Sequence, residues 1–387
     1  MLEKIRAMEP CTEVINYGAW QEVFFSSDFK TGKKIEDFLP IYERLVRLVQ
    51  DECSGIINEK IYCSRYFFER IQEIHNKIWR LWYKDNGRHA FSCLEGMPLE
   101  NGEVAGFQIR AFKLLNKNSC NIDSAASKDY SVFLIGWNGY KICYLTGLKG
   151  GLEKSATKMQ REMCAYNLLF QAFQILSKLG FKNTEIVHTW FYLDKIDKWY
   201  NNFNQARSSV FKKIGLIDTK EVLPASTGIG IYSGKNSIVA IDAVAVKCSH
   251  NQRLMKRLYN PIQKEAPEYD SLFSRGISID FGSSKVIYVS GTASIGEKGE
   301  SLYNGSAKKQ IYRTFRNMEA LVSAEGVTLH NIKQATVYFK RPEDFESYQK
   351  IFIQRINKEM PYVCMLAEIC RPELLFEIEA VLNIEHT

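Results

Sequence analysis

The residue with the most chemistry to offer is a glutamate inside an apolar run. Glu377 stands between Phe376 and Ile378 in LLFEIEAVL (374–382), a stretch too apolar for simple in–out alternation. An arbitrary strand glutamate is ordinarily solvated. One enclosed by apolar neighbours loses its hydration, holds its proton up to higher pH and can serve as a general acid near neutrality. Cys370, seven residues earlier, reads either as a buried structural thiol or as part of the same pocket.

Arginine supplies the complementary chemistry, because a planar guanidinium grips a carboxylate through parallel N–H donors. Arg207 ends FNQAR (203–207), Arg275 lies in FSRG (273–276) and Arg371 follows Cys370. Each is a candidate anion ligand, and each could equally be a surface charge. Tyr200 precedes Arg207 by seven residues, two helical turns along the same face, and could donate a hydrogen bond. Small residues frame the set: Gly230 closes LPASTGIG (223–230) and Gly291 lies in VSGTAS (289–294), both offering approachable backbone. His188 reads as a core or edge histidine. There is no Ser/His/Asp order and no Walker loop, and GLKGG (147–151) lacks dinucleotide spacing.

These residues must be positioned by folded structure along the whole chain. Its 387 residues are 45% apolar, 25% charged and 13% aromatic, enough for two to four ordinary domains. The net charge of +7 is scattered, which suits a small anionic substrate and argues against a nucleic-acid partner. Ten dispersed cysteines show no CxxC pair and no zinc spacing, so reduced thiols, no metal and a cytoplasmic location are expected. No apolar run is long enough to cross a membrane.

The sequence also repeats. In the last third a hairpin (RGISIDFG, SKVIYVSGTAS) precedes a helix (306–326), a strand (332–340), a helix (342–356) and strands at 362–370 and 374–382. The middle third has the same order, from a hairpin turning at Asn138-Gly139 through helix 155–180 to LPASTGIGI and SIVAIDAVAV. The first third follows more loosely, with WQEVFFSSDF as a hairpin remnant and a helix at 35–53. Aligning the closing strands puts Ala111, Ala243 and Ala380 in register, so Gln108, Ala240 and Glu377 share one site. Only the last copy keeps an acid. The expected boundaries are 1–120, 121–250 and 251–387, in an α+β fold.

An α+β unit of this kind that ends on EIEA and carries VSGTAS in its hairpin resembles the YjgF/Rid (chorismate-mutase-like) superfamily. Those proteins are trimers with clefts between subunits. Three copies on one chain imply a covalent pseudo-trimer, monomeric as a whole. Within the superfamily the chain is similar to the chorismatases, through TWFYL (189–193), FNQAR, LPASTGIG, NPIQ (260–263), FSRG, VSGTAS and CRPELLFEIEA (370–380). This resemblance implies cleavage of the enol ether of chorismate to pyruvate, with Glu377 as proton donor and no cofactor. It implies Arg207 as first carboxylate ligand and Arg275 as second. It also implies that Cys370 lines the pocket, favouring 3-hydroxybenzoate over a cyclohexadiene diol. Counting back from Glu368 places Cys364 where deaminases of the superfamily carry a clamping Arg, which argues against deamination. Two other readings stay open: another enol or imine hydrolysis, and a non-catalytic binder of small carboxylates.

Overall fold

The structure is a computed structural model describing residues 10–82, 90–127, 129–151, 156–217, 223–234, 237–250, 254–356 and 359–386. Three sheets follow one another along the chain. The first comprises β1 (Cys11–Asn16), β2 (Trp20–Lys33), β3 (Gly55–Cys63), β4 (Ala90–Glu95) and β5 (Val104–Leu114), with helices α1 (Ile35–Glu52) and α2 (Phe68–Trp82) between strands. The second holds β6 (Asn121–Ala126), β7 (Ser131–Trp137), β8 (Tyr140–Gly150), β9 (Ile186–Leu193), β10 (Ala225–Ile229) and β11 (Val239–Cys248), with α3 (Lys158–Lys178) and α4 (Ile196–Lys213). The third holds β12 (Met255–Leu258), β13 (Gly276–Asp280), β14 (Ser284–Ala293), β15 (Ile332–Phe339), β16 (Tyr362–Leu366) and β17 (Phe376–Glu385), with α5 (Ala307–Ser323) and α6 (Phe345–Arg355).

The strand orders are 1-2-5-3-4, then 10-9-11-8-7-6, then 12-13-14-17-15-16. Remove β6 and β12 and the three are one topology, a hairpin beside the closing strand, which pairs in turn with the strands of two crossovers. Local chemistry accounts for the pieces. Apolar residues three and four apart (Phe38, Tyr42, Leu45, Val46, Val49) form the buried stripe of α1. Thr157 and Gln160 form a reciprocal capping box that starts α3. Asn138 and Gly139 both take positive φ, 44° and 78°, as the tight hairpin between β7 and β8 requires.

Each sheet buries one face against its own helices, forming three separate cores. A fourth core draws on all three sheets, with Tyr62, Tyr144, Tyr192, Tyr288 and Tyr338 from their opposite faces. The molecule is therefore three domains of one topology around a shared interior. No described helix is long and apolar enough to cross a membrane.

Two expectations change. The first copy has a complete hairpin, not a remnant: WQEVFFSSDF is one arm, and CTEVIN (11–16) pairs with it antiparallel. The penultimate strand stops at Leu366 instead of 370, because the chain leaves the sheet there. Glu368 bridges to Gly230 of the middle domain, and this detour carries Cys370 and Arg371 across the domain seam.

Candidate active site

The middle and last domains meet along β10 and β14. The Ser226 N–H donates to Ser290 Oγ (2.8 Å), that of Gly291 to Thr227 Oγ1 (3.0 Å) and that of Ser274 to the Pro224 carbonyl (2.9 Å). Beside this seam opens a cleft of about 500 Å³. Glu377, Cys370, Arg371, Arg275 and Gly291 line it from the last domain, and Tyr200 and Arg207 from α4.

Glu377 is only 4% exposed. Phe376 and Ile378 do not cover it, contrary to the expectation drawn from their adjacency. Strand alternation sends both to the helix face, into the core of the last domain, and turns Glu377 and Glu379 to the other side. The domain seam covers Glu377 instead. Two residues of β14, Ser290 and Gly291, bulge opposite one of β17. A side chain at Gly291 would collide with the Glu377 carboxylate and crowd Thr227. Burial, reinforced by the Glu379 charge, raises the Glu377 carboxyl to about 8 against an opposing pull from Arg275. The group therefore carries its proton at neutral pH. Burial likewise pushes the Cys370 thiol up to about 12, so it stays S–H.

The arginines share an uncommon feature. Arg207, 2% exposed, donates to Asn204 Oδ1 (2.7 Å), and its Nε has no hydrogen-bond partner among the described residues. Arg275 donates to the Lys264 carbonyl (2.6 and 3.2 Å) and the Tyr269 hydroxyl (2.5 Å). Arg371 donates to the Gly299 carbonyl (2.7 Å) and Ser301 Oγ (3.3 Å). All three are held by neutral acceptors. Carboxylates take this role for several other arginines, as in Arg65–Glu95, Arg257–Glu265, Arg341–Asp344 and Arg355–Glu319. Three cations in one cleft thus keep their charge for a ligand. Aromatic rings space them: Phe273 lies 5.4 Å from Arg207 and 5.3 Å from Arg275, and Tyr269 lies 5.4 Å from Arg275 and 5.1 Å from Arg371. Tyr200 begins the regular part of α4, just after Trp199 breaks the helix with φ −150°. Burial raises its hydroxyl well above the usual range, which keeps it a donor.

Gly230 does not line the cleft; Gly228 does. The main chain of Gly230 is engaged with Glu368 across the domains (2.8 Å), and Glu368 Cβ leaves no room for a side chain there. Cys364 faces the helix-side core of the last domain, so its identity says nothing about a carboxylate clamp. Tyr269, Phe273 and Asn204 were not singled out as ligand neighbours. Tyr269 ends a short 3-10 turn (Ala266–Tyr269) and Phe273 lies in the irregular segment after it, too short a stretch for any periodicity to announce their contacts. Asn204 could have been found one turn before Arg207. Among the described residues no cluster of three His, Cys, Asp or Glu side chains could hold a metal ion.

Fold and cleft together define a single-chain pseudo-trimer of YjgF/Rid-type domains. The family model described as endoribonuclease L-PSP matches residues 264–384. A 3-hydroxybenzoate synthase of Streptomyces hygroscopicus is 24% identical over 236 residues, 54% of this chain and 66% of its own length. A chorismatase of Streptomyces rapamycinicus is 24% identical over 234 residues, with the same coverage. The matched stretch thus spans a little under two thirds of each relative. A chorismatase crystal structure superposes with TM-score 0.65 over 96% of this chain and 99% of its own, at 15% identity, and shows the shared fold. Residues 264–384 thus match that family model, and the chain as a whole shares its fold with a chorismatase.

Proposed function

We propose that this protein is an enzyme that cleaves chorismate to pyruvate and 3-hydroxybenzoate. One observation carries the reading: a carboxyl that holds its proton at neutral pH faces the same cleft as three arginines whose hydrogen bonds, among the described residues, go to neutral acceptors. Chorismate matches both halves, being a dicarboxylate that bears an enol ether. Arg207 takes one carboxylate, with Tyr200 as a further donor, and Arg275 takes the other.

The reaction begins when Glu377 gives its proton to the terminal methylene carbon, turning the enol ether into an oxocarbenium ion. The Glu377 carboxylate left behind then lies near that developing positive charge. Water adds to the oxocarbenium carbon, and collapse of the hemiketal releases pyruvate. Loss of one water from the ring completes 3-hydroxybenzoate, so no net water is consumed. Cys370 as a neutral thiol packs against the ring and performs no covalent step. Similarity to a 3-hydroxybenzoate synthase favours this product over the diol.

The test is to incubate the purified protein with chorismate, assay pyruvate and identify the aromatic product. Pyruvate with 3-hydroxybenzoate is expected. Absence of pyruvate from folded protein would refute the reading.

A further inference from the structure

Arg275 is oriented by the main-chain carbonyl of Lys264, to which both Nε and Nη2 donate, together with the Tyr269 hydroxyl, which takes Nη2 alone. A carbonyl directs the guanidinium without cancelling its charge. Two of its three hydrogen bonds therefore depend on where Lys264 is placed. Residues 260–265 follow β12 and belong to no strand or helix, so side chains must hold them.

Asn260, 7% exposed, is the hub of that hold. Its Oδ1 accepts from the Ile262 N–H (3.1 Å), and its Nδ2 donates to Gln263 Oε1 (3.1 Å) and to the Asn317 carbonyl in α5 (2.9 Å). Its own N–H donates to Glu265 Oε1 (3.1 Å), whose other oxygen takes Arg257 (2.7 Å). Arg313 of α5 donates to the Ile262 carbonyl, and the Lys264 N–H closes on the Gly296 carbonyl (3.0 Å). Asn260 itself does not reach the cleft. Its network delivers one group there, the Lys264 carbonyl beneath Arg275.

We propose that Asn260 is a positioning residue: by bracing residues 260–265 against α5, it aims the Arg275 guanidinium into the cleft. The proposal deepens the functional reading above and rests on it for the ligand, though not for the brace. Two readouts separate these. The first is phenylglyoxal modification of wild-type and Asn260→Ala protein, resolved by peptide mass spectrometry. Arg275 should react several-fold faster in the variant, while Arg207 reacts as before. The second is steady-state turnover of chorismate. KM should rise about tenfold with kcat within about twofold, as for lost uniform binding. In an Arg275→Gln background Asn260→Ala should raise KM no further, because both changes act through one contact. Asn260→Ser keeps an oxygen for the Ile262 N–H; it should show smaller shifts in both readouts and replaces the alanine variant if that does not fold. Unchanged Arg275 reactivity in a folded variant overturns the proposal, as does an equal KM rise with and without Arg275. Faster Arg275 modification in a protein that leaves chorismate intact upholds the brace and removes the substrate reading.

Discussion

The register site that holds Glu377 exists three times in the molecule, and its three versions behave differently. In the last domain Glu377 lies opposite Ala293 on β14 and opens onto a cleft of about 500 Å³. In the first domain the site holds Gly106, which pairs with Tyr62 as Ala240 pairs with Tyr192 and Glu377 with Tyr338. Gln108, expected there from the sequence alignment, lies two residues on and matches Asp242 and Glu379, each accepting from the corresponding tyrosine (3.1, 3.3 and 3.1 Å). Its amide donates to the Ala335 carbonyl (2.9 Å), and the space beside it is about 20 Å³, room for roughly one water. The neighbouring seam is shut: a side chain at Gly106 would strike the Ser27 carbonyl and Val363, and Cys364 N–H donates to Asp28 (2.9 Å). In the middle domain the site holds Ala240, opposite Lys149. There Asp242 accepts from Lys60 (3.0 Å), Tyr192 (3.3 Å) and the Gly147 N–H (2.7 Å), pinning the first and middle domains together. A trimer of identical chains repeats any cleft three times. Here two copies of the site serve assembly, and one is left facing a cleft with a buried acid and arginines held by neutral acceptors.

The sharpest way to break this comparison is to remove the acid. Glu377→Gln keeps shape and polarity but has no proton to give, so kcat should fall on the order of 10²–10⁴-fold. The affinity for chorismate, measured by calorimetry, should change little. Next is Arg207→Lys, which exchanges a fork for a point charge beside Asn204. KM should rise roughly 50-fold, as expected for a buried charge-assisted contact. The third change is made at Gln108, the first-domain counterpart of Glu379. Gln108→Glu turns the donor to the Ala335 carbonyl into an acceptor and should lower unfolding stability by about 1–3 kcal/mol. Combined with Glu377→Gln it should restore no turnover.

The smallest effect is in pH. Above about 8 Glu377 loses its proton, so kcat/KM should decline roughly tenfold per pH unit. The same shift bears on stability with a definite sign. A carboxyl raised from 4.5 to about 8 lets the folded state hold a proton that the unfolded state releases. Its contribution to stability therefore falls as pH rises through that window. The melting temperature of Glu377→Gln, insensitive there, should gain on the wild type between pH 5 and pH 8 and level off above it.

Much of this was legible in the sequence. Period-3.6 and period-2 patterns, with Asn138-Gly139 at a turn, revealed the repeat, and the closing strands of the middle and last copies aligned correctly around Glu377. That of the first was set two residues off, at Gln108 instead of Gly106. Arg207 followed from the family resemblance of FNQAR and Tyr200 from its helical spacing to Arg207, and both line the cleft. What escaped belongs to contacts between domains. Glu377 drew attention because of Phe376 and Ile378, yet these pack on the opposite face, and its burial comes from Gly291 and Thr227 of another strand and another domain. The CTEVIN arm of the first hairpin is short and polar at alternate positions, so it offered little pattern. Gly230 and Cys364 sit in the right segments but are directed by backbone pairing to other partners. Tyr269 and Phe273, which space the arginines, lie where no regular period exists to betray them.

The most direct test of one live site among three is a calorimetric titration of Glu377→Gln with chorismate, with pyruvate assayed in the same sample. The account predicts one molecule bound per chain, no pyruvate, and loss of binding when Arg207→Ala is added. Two or three equivalent sites, or pyruvate formed at the wild-type rate, would contradict it.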